Sequence, residues 1–315
     1  MLDSKMLYRQ TMPYTFARLG LALLLALLSG ILLAICLVLE SSLGADAAQF
    51  IGGLIEEDLG EDGATIAMFC IWLAGTVGLH FLIMNYAGYL LKAGHVAVIS
   101  EALATGSVPE NQKTFGKQAV LKRFGGIHAY LVLDRLVDGA ANQLCNVVAK
   151  TGEAFEKVPG VTVISGVVQL FLRIALGHVD ECALAYSFYR KDSGTFKSAT
   201  NGIVLYFQNW KTLLKTAGAL TFVCCGLYAL LGLASIVLFI CFMDEGLSLF
   251  AMYLGGFFFW VIKASFIDSW VMVRMVAGFF EKAKDMEPAL DVADKLAGLS
   301  NKFKELRLRP ETSAM

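Results

Sequence analysis

The stretch FARLGLALLLALLSGILLAICLVL, residues 16–39, decides the fold class of this chain. At 1.5 Å per residue, a helix of this length extends about 36 Å, which is enough to cross a hydrocarbon core of about 30 Å. The stretch is longer than the apolar region of a typical signal peptide, and no clear small-residue cleavage site follows it. We therefore predict that it is a retained membrane span.

Three further apolar runs have the length of membrane spans, and they cover residues 65–91, 213–242 and 247–280. The whole chain has 315 residues, of which 57% are apolar and 17% charged, whereas soluble domains carry about 25% charged residues. These features predict an all-α, polytopic helical membrane protein with four transmembrane helices. The lipid bilayer is its expected partner, and the net charge of −1 argues against binding to nucleic acid.

The charged residues indicate how the spans are oriented. Residues 40–63 contain seven acidic residues and no Lys or Arg, and the short turn at Asp244 and Glu245 is also acidic. Lys and Arg are concentrated before the first span, between the second and third spans, and after the fourth span. Because such basic segments stay in the cytoplasm, we expect both termini to be cytoplasmic, in a bacterial inner membrane.

This orientation predicts five regions along the chain. They are a cytoplasmic N-terminus at 1–15, a first transmembrane pair at 16–99 with an acidic external loop at 40–63, a cytoplasmic-side middle region at 100–212, a second transmembrane pair at 213–280 and a cytoplasmic tail at 281–315.

The middle region contains two helix-like runs, 127–148 and 161–186, which predict a helical hairpin over 127–186. Each run carries polar side chains at four-residue steps, and residues four apart lie on one face of a helix. The candidate polar residues of the hairpin, or of a pathway along it, are Asp134, Asp138, Asn142, Gln169, Arg173, Asp180 and Glu181.

An antiparallel register of the two runs would place Asp138 against Arg173 and Asn142 against Gln169. Facing polar stripes would satisfy each other in a medium of low dielectric constant. Alternatively, the two helices lie at the membrane surface with their stripes toward water. The hairpin can therefore be re-entrant, interfacial or spanning, and full crossing would give six spans.

Four polar residues fall within the predicted spans. His80 and Asn85 lie in the second span, and Lys263 and Asp268 lie in the fourth. Polar groups inside a membrane are candidates for function, although long charged side chains near the ends of a span can also extend to the lipid headgroups.

No sequence pattern of an enzyme, a metal site or a cofactor site is present. The seven cysteines contain no Cys-x-x-Cys spacing, and His178, Asp180 and Glu181 lack a further ligand at a suitable spacing. The chain also lacks the Walker A, Gly-x-Gly-x-x-Gly, Gly-x-Ser-x-Gly and His-Glu-x-x-His motifs. We therefore expect no catalytic residue, no metal and no cofactor.

Two segments carry a resemblance to a known family. They are HVDECALAYSFYRKDSGTFKSATNGIVLYFQN at 178–209 and SFIDSWVMVRMVAGFFEKAKD at 265–285. This part of the chain, about a third of it, resembles the C-terminal region of the choline transporter-like proteins, where a polar and aromatic segment precedes the last two spans. The whole chain also resembles bacterial polytopic membrane proteins without an assigned activity.

Two hypotheses about function follow. The resemblance and the polar hairpin favour a transporter-like or channel-like protein for a small polar or cationic solute. The small number of spans and the extended cytoplasmic regions favour a non-transporting scaffold or a subunit of a membrane complex, whose partner is a second copy or another membrane protein.

Overall fold

The computed structural model describes residues 3–55, 63–124, 127–152, 170–171, 174–242 and 248–309. Within these ranges the chain is helical and contains no strand, which confirms the predicted all-α fold. The acidic turn at Asp244 and Glu245 lies outside the described residues, as does most of the second run of the predicted hairpin.

The helices of the first half are α1 Ser4–Gln10, α2 Met12–Ile55, α3 Gly63–Ile83, a π-helical turn at Met84–Gly88, α4 Tyr89–Thr105, α5 Gln112–Phe124 and α6 Ile127–Gly152. The helices of the second half are α7 Val179–Tyr189, α8 Thr195–Gln208, α9 Trp210–Phe242, α10 Ser248–Ile262, a π-helical turn at Lys263–Ile267, α11 Asp268–Ala283, α12 Leu290–Leu299 and α13 Asn301–Leu308.

Four helical stretches are long and apolar enough to cross a bilayer: Met12–Glu40, Gly63–Thr105, Trp210–Cys241 and Ala251–Ala283. They confirm the four spans expected from the sequence. The second stretch has 43 residues, or about 65 Å of helix, which is roughly twice the thickness of the hydrocarbon core. Its end therefore extends beyond the hydrocarbon.

The described chain forms two compact units, of which unit 2 comprises Phe16–Leu90 and Leu230–Ser265. Its core contains Trp72 and Tyr253 among buried aliphatic residues. The indole Nε1 of Trp72 donates a hydrogen bond to the carbonyl of Ser29 over 3.0 Å, and the Tyr253 hydroxyl donates to the carbonyl of Ala26. These bonds satisfy polar groups that cannot reach water inside a bilayer.

Unit 1 comprises Met1–Thr15, Leu91–Ala229 and Phe266–Met315, so the middle region and the C-terminal tail fold together. Its largest fully buried aromatic side chains are Tyr186 and Tyr206 in the middle region, Phe279 and Phe280 at the end of the fourth span, and Phe303 in the tail. Burial of a large aromatic side chain stabilises a fold by roughly 1.5–3 kcal/mol. Burial of Phe303 therefore contributes to the folding of the tail within unit 1.

The tail is joined to α6 by a helix cap. The Ser300 hydroxyl accepts a hydrogen bond from the backbone N–H of Phe303 over 3.0 Å, which caps α13. The same hydroxyl donates to Oε1 of Gln143 on α6 over 2.7 Å. One side chain therefore both starts the last helix and attaches it to the middle region.

The start of the first span packs tightly within unit 1. The ring of Tyr14 stacks on His95 with ring centroids 5.0 Å apart, and its hydroxyl donates to the carbonyl of Gln112 over 3.1 Å. A Cβ atom at Gly116 would lie 2.0 Å from this hydroxyl and 2.7 Å from the carbonyl oxygen of Gly94. Glycine at 116 is therefore required for α5 to approach Tyr14 and the Gly94 backbone of α4.

Candidate functional site

Four ionisable side chains meet within unit 1. Lys92 lies near the start of α4, on the second membrane-spanning stretch, and its Nζ is 2.8 Å from Oδ2 of Asp180 and 2.9 Å from Oε1 of Glu181. Nδ1 of His178 is 3.3 Å from the other carboxylate oxygen of Glu181. We call these four residues the ionic cluster.

The two acidic residues of the ionic cluster lie in the first turn of α7. Negative charge is favourable there because the first backbone N–H groups of a helix point toward it. Helix α7 is buried from Val179 to Phe188, so the carboxylates have little access to water. Their side chains are only 10% and 7% exposed for Asp180 and Glu181, respectively, and buried carboxylates need a positive partner.

The two carboxyl groups share one lysine, and their pKa values are shifted in opposite directions. Burial, together with the charge of Glu181, raises the pKa of Asp180 to about 7. Burial alone would also raise the pKa of Glu181, but Lys92 and His178 outweigh it and hold that pKa well below its usual range. Burial would lower the pKa of His178, but Glu181 outweighs it and raises that pKa.

This arrangement can act in two ways. A carboxyl group with a pKa near neutrality beside a lysine can take up and release a proton at physiological pH. Buried ion pairs also hold helices together, and here the Ser100 hydroxyl on α4 donates to the carbonyl of Ala185 on α7 over 2.7 Å, which adds a second polar link between the same helices.

Sequence reasoning selected Asp180 and Glu181 but missed Lys92. Lys92 and Asp180 are 88 residues apart, and no periodicity links the end of a span to a helix so distant. The available signal was a single lysine, Lys92, at the end of an otherwise apolar run. Among the described residues, no group of three or more His, Cys, Asp or Glu side chains could hold a metal ion.

The predicted polar stripe on α6 faces outward in the described part of the structure. Asp138 and Asn142 are exposed, and Nδ2 of Asn142 donates to Oδ1 of Asp138 over 3.0 Å. Asp134 lies on α6, although its side chain is not described, and Gln169 and Arg173 lie outside the described residues. The pairing of Asp138 with Arg173 therefore stays a prediction.

The predicted intramembrane polar residues lie near the two π-helical turns. Asn85 lies within the turn at Met84–Gly88 and is exposed, while Lys263 begins the second turn and Asp268 directly follows it. His80 lies one turn before the first π-helical turn. Such turns replace the regular hydrogen-bond pattern and are frequent at functional sites.

Unit 2 contains a cavity of about 310 Å³. Its lining consists mainly of apolar and aromatic side chains, and its polar groups include the hydroxyls of Thr76 and Tyr253 and the imidazole of His80. The lining residues are Leu25, Trp72, Thr76, Val77, His80, Met252, Tyr253, Gly256, Phe257 and Trp260. His80, one of the predicted intramembrane residues, therefore belongs to this cavity.

The fold and these sites define an all-α integral membrane protein with four spans and a second helical core formed by its middle region and tail. Comparisons of the chain with protein-family models, with curated proteins and with solved structures found no match. The resemblance to the choline transporter-like proteins therefore stays a prediction from the sequence.

Proposed function

We propose that this chain is a non-transporting scaffold or subunit of a membrane complex, in which the four spans anchor the helical core formed by the middle region and the tail. The proposal is carried by the chemistry of the cavity in unit 2. Its lining is almost entirely apolar, and the hydroxyls of Thr76 and Tyr253 are already bonded to Ser29 and to the Ala26 carbonyl. A polar or cationic solute would lose its hydration there and find few hydrogen-bonding groups in return, chiefly the His80 imidazole.

The exposed stripe on α6 is the surface that fits a protein partner. Arg135, Asp138, Asn142 and Asn146 are exposed at regular steps along one face, while Leu133, Leu136, Val137, Ala140 and Leu144 on the same helix are buried. The apolar residues of α6 thus already belong to the core of unit 1. A polar stripe with both charge signs can hydrogen-bond to another protein at the cytoplasmic face.

Site-specific photo-crosslinking in native membranes tests this surface. A photoreactive residue at Asn142 is expected to give one discrete protein adduct, either with another copy or with a partner. The same residue at Phe222, whose side chain is 76% exposed on a membrane-spanning helix, should give mainly lipid adducts. Lack of a protein adduct at Asn142 under conditions where Phe222 reacts would contradict the proposal.

A flux assay tests the absence of transport. The full chain is reconstituted into vesicles, and the uptake of labelled choline, as a small cation, is measured. We expect uptake no faster than in protein-free vesicles. Saturable uptake that depends on the protein would overturn the non-transporting role.

One observation favours a second candidate function, a proton-linked transporter. Asp180 has a pKa of about 7 and contacts Lys92 on a membrane-spanning stretch, so its protonation can respond to a pH gradient. This candidate predicts solute uptake that requires a pH gradient and is abolished by Asp180→Asn. Uptake that is independent of the gradient, or unchanged in Asp180→Asn, would exclude this role of the carboxyl group.

A further inference from the structure

The cavity of unit 2 has aromatic walls. Tyr253 and Phe257 have ring centroids 4.6 Å apart, and Phe257 and Trp260 have centroids 6.0 Å apart. Trp72 meets Tyr253 edge-on at 6.2 Å. Aromatic rings in these positions favour the stacked or edge-to-face packing of a further ring.

The imidazole of His80 is a polar group on the wall of the cavity. The His80 imidazole meets Trp260 edge-on, with ring centroids 5.4 Å apart, and makes no hydrogen bond to the residues that the structure describes. It lies on the stretch Gly63–Thr105, which has the length and composition of a membrane span, so we expect hydrocarbon around it. An imidazole without a polar partner in such surroundings costs free energy, which a ligand with a complementary group would recover.

The size and the opening of the cavity restrict the ligand. A volume of about 310 Å³ is at the lower end of small-molecule sites and fits one or two fused rings. Val77, His80 and Met252 are exposed on its rim within apolar, membrane-spanning stretches. A ligand that enters past these residues must therefore be soluble in the bilayer.

We propose that this cavity binds the flat ring of a membrane-soluble amphiphile, whose hydroxyl or carbonyl group forms a hydrogen bond with the His80 imidazole. A phospholipid acyl chain would also fill apolar space, but it would leave the imidazole unpaired and would not stack on the aromatic walls. The same cavity argues against transport through its apolar lining, but binding of a ligand there requires neither α6 nor the ionic cluster and can be tested apart from the scaffold role.

Two glycines provide matched variants. A Cβ atom at either Gly256 or Gly232 would meet no heavy atom within 4 Å, and both glycines lie in helices of unit 2. Gly256 lines the cavity, whereas Gly232 does not. Gly256→Leu therefore fills the cavity, and Gly232→Leu is the control for the change in size and helix propensity. His80→Leu replaces the hydrogen-bonding imidazole with an apolar side chain.

The experiment measures quenching of tryptophan fluorescence in the full chain, reconstituted in lipid nanodiscs. Two of the four tryptophans, Trp72 and Trp260, line the cavity. The probe is 6-bromo-2-naphthol, and 2-bromonaphthalene serves as the same ring without the hydroxyl. Replacing each cavity tryptophan with Phe assigns the signal.

We expect saturable quenching by the naphthol that weakens about tenfold in His80→Leu, since one hydrogen bond is lost. Quenching should be abolished in Gly256→Leu and unchanged in Gly232→Leu. Bromonaphthalene should bind more weakly than the naphthol and should not respond to His80→Leu.

Two results would overturn the proposal. The first is quenching by the naphthol that rises linearly with its concentration and is the same in Gly256→Leu, because this indicates simple partition into lipid. The second is saturable quenching by the naphthol that is no stronger than quenching by 2-bromonaphthalene and is unchanged in His80→Leu, because the cavity would then accept any apolar group without a hydrogen bond to the imidazole.

Discussion

Replacement of Lys92 by methionine is expected to destabilise unit 1 strongly at neutral pH. Methionine is an unbranched apolar side chain similar in length to the lysine stem, but it lacks the positive charge that Asp180 and Glu181 share. Both carboxylates remain buried, since their side chains are at most 10% exposed. Breaking a buried ion pair by removal of one partner typically costs about 3–5 kcal/mol.

The pKa values of Asp180 and Glu181 show which carboxyl group causes most of this loss of stability. With a pKa of about 7, Asp180 is already close to half-protonated at pH 7, so loss of Lys92 adds little cost there. The penalty falls on Glu181, which must then remain charged without Lys92 or take up a proton. Protonation of a glutamate from its ordinary pKa of 4.5 costs about 3.4 kcal/mol at pH 7.

The expected loss of stability is therefore about 3 kcal/mol at pH 7. It should shrink by about 1.4 kcal/mol for each pH unit below 7, because protonation of Glu181 then becomes less costly. Unfolding in an SDS titration, followed by circular dichroism at several pH values, measures both the loss and its pH dependence.

Lys191→Met is the matched control for this prediction. Lys191 forms an ion pair of 2.7 Å with Glu101, as short as the pairs of Lys92, but its side chain is 67% exposed. Exposed pairs contribute less than about 1 kcal/mol. If Lys92→Met and Lys191→Met caused the same small loss at pH 7, the reasoning about the buried ionic cluster would be refuted.

Three further predictions use the same unfolding assay. The wild type should lose stability as the pH rises from about 4 to 7, because the pKa of Asp180 is raised in the folded chain. Asp180→Asn should make this dependence on pH weaker, and an unchanged dependence would contradict the prediction. Gly116→Ala should cost about 1–3 kcal/mol because its Cβ would collide with Tyr14, while Gly226→Ala, which meets open space, should not. Ser300→Ala should cost about 1–2 kcal/mol and speed amide hydrogen exchange in α13; unchanged exchange would argue against the cap.

The spans were predictable because their signal is local. A run such as 16–39 must be long and apolar enough to fill the hydrocarbon core, and both properties can be read from neighbouring residues. The described helices contain all four expected spans. The two π-helical turns were not predicted, since their hydrogen-bond pattern has no comparable signature in a single sequence.

The candidate sites were predictable only in part. Asp180, Glu181 and His80 were selected because polar residues in apolar surroundings are costly and need a reason. Their partners could not be selected. Lys92 pairs with a helix 88 residues away, and the aromatic wall opposite His80 comes from another span, with Phe257 and Trp260.

The sequence by itself determined that the chain is helical and crosses a bilayer, because the thickness of the hydrocarbon core sets a threshold that each segment meets alone. Only the tertiary structure decided which charges are neutralised and where a cavity forms. Pairing depends on distances of about 3 Å between side chains far apart in the chain, as for Lys92 and Asp180. Such distances are fixed by the packing of whole helices, which no local pattern encodes.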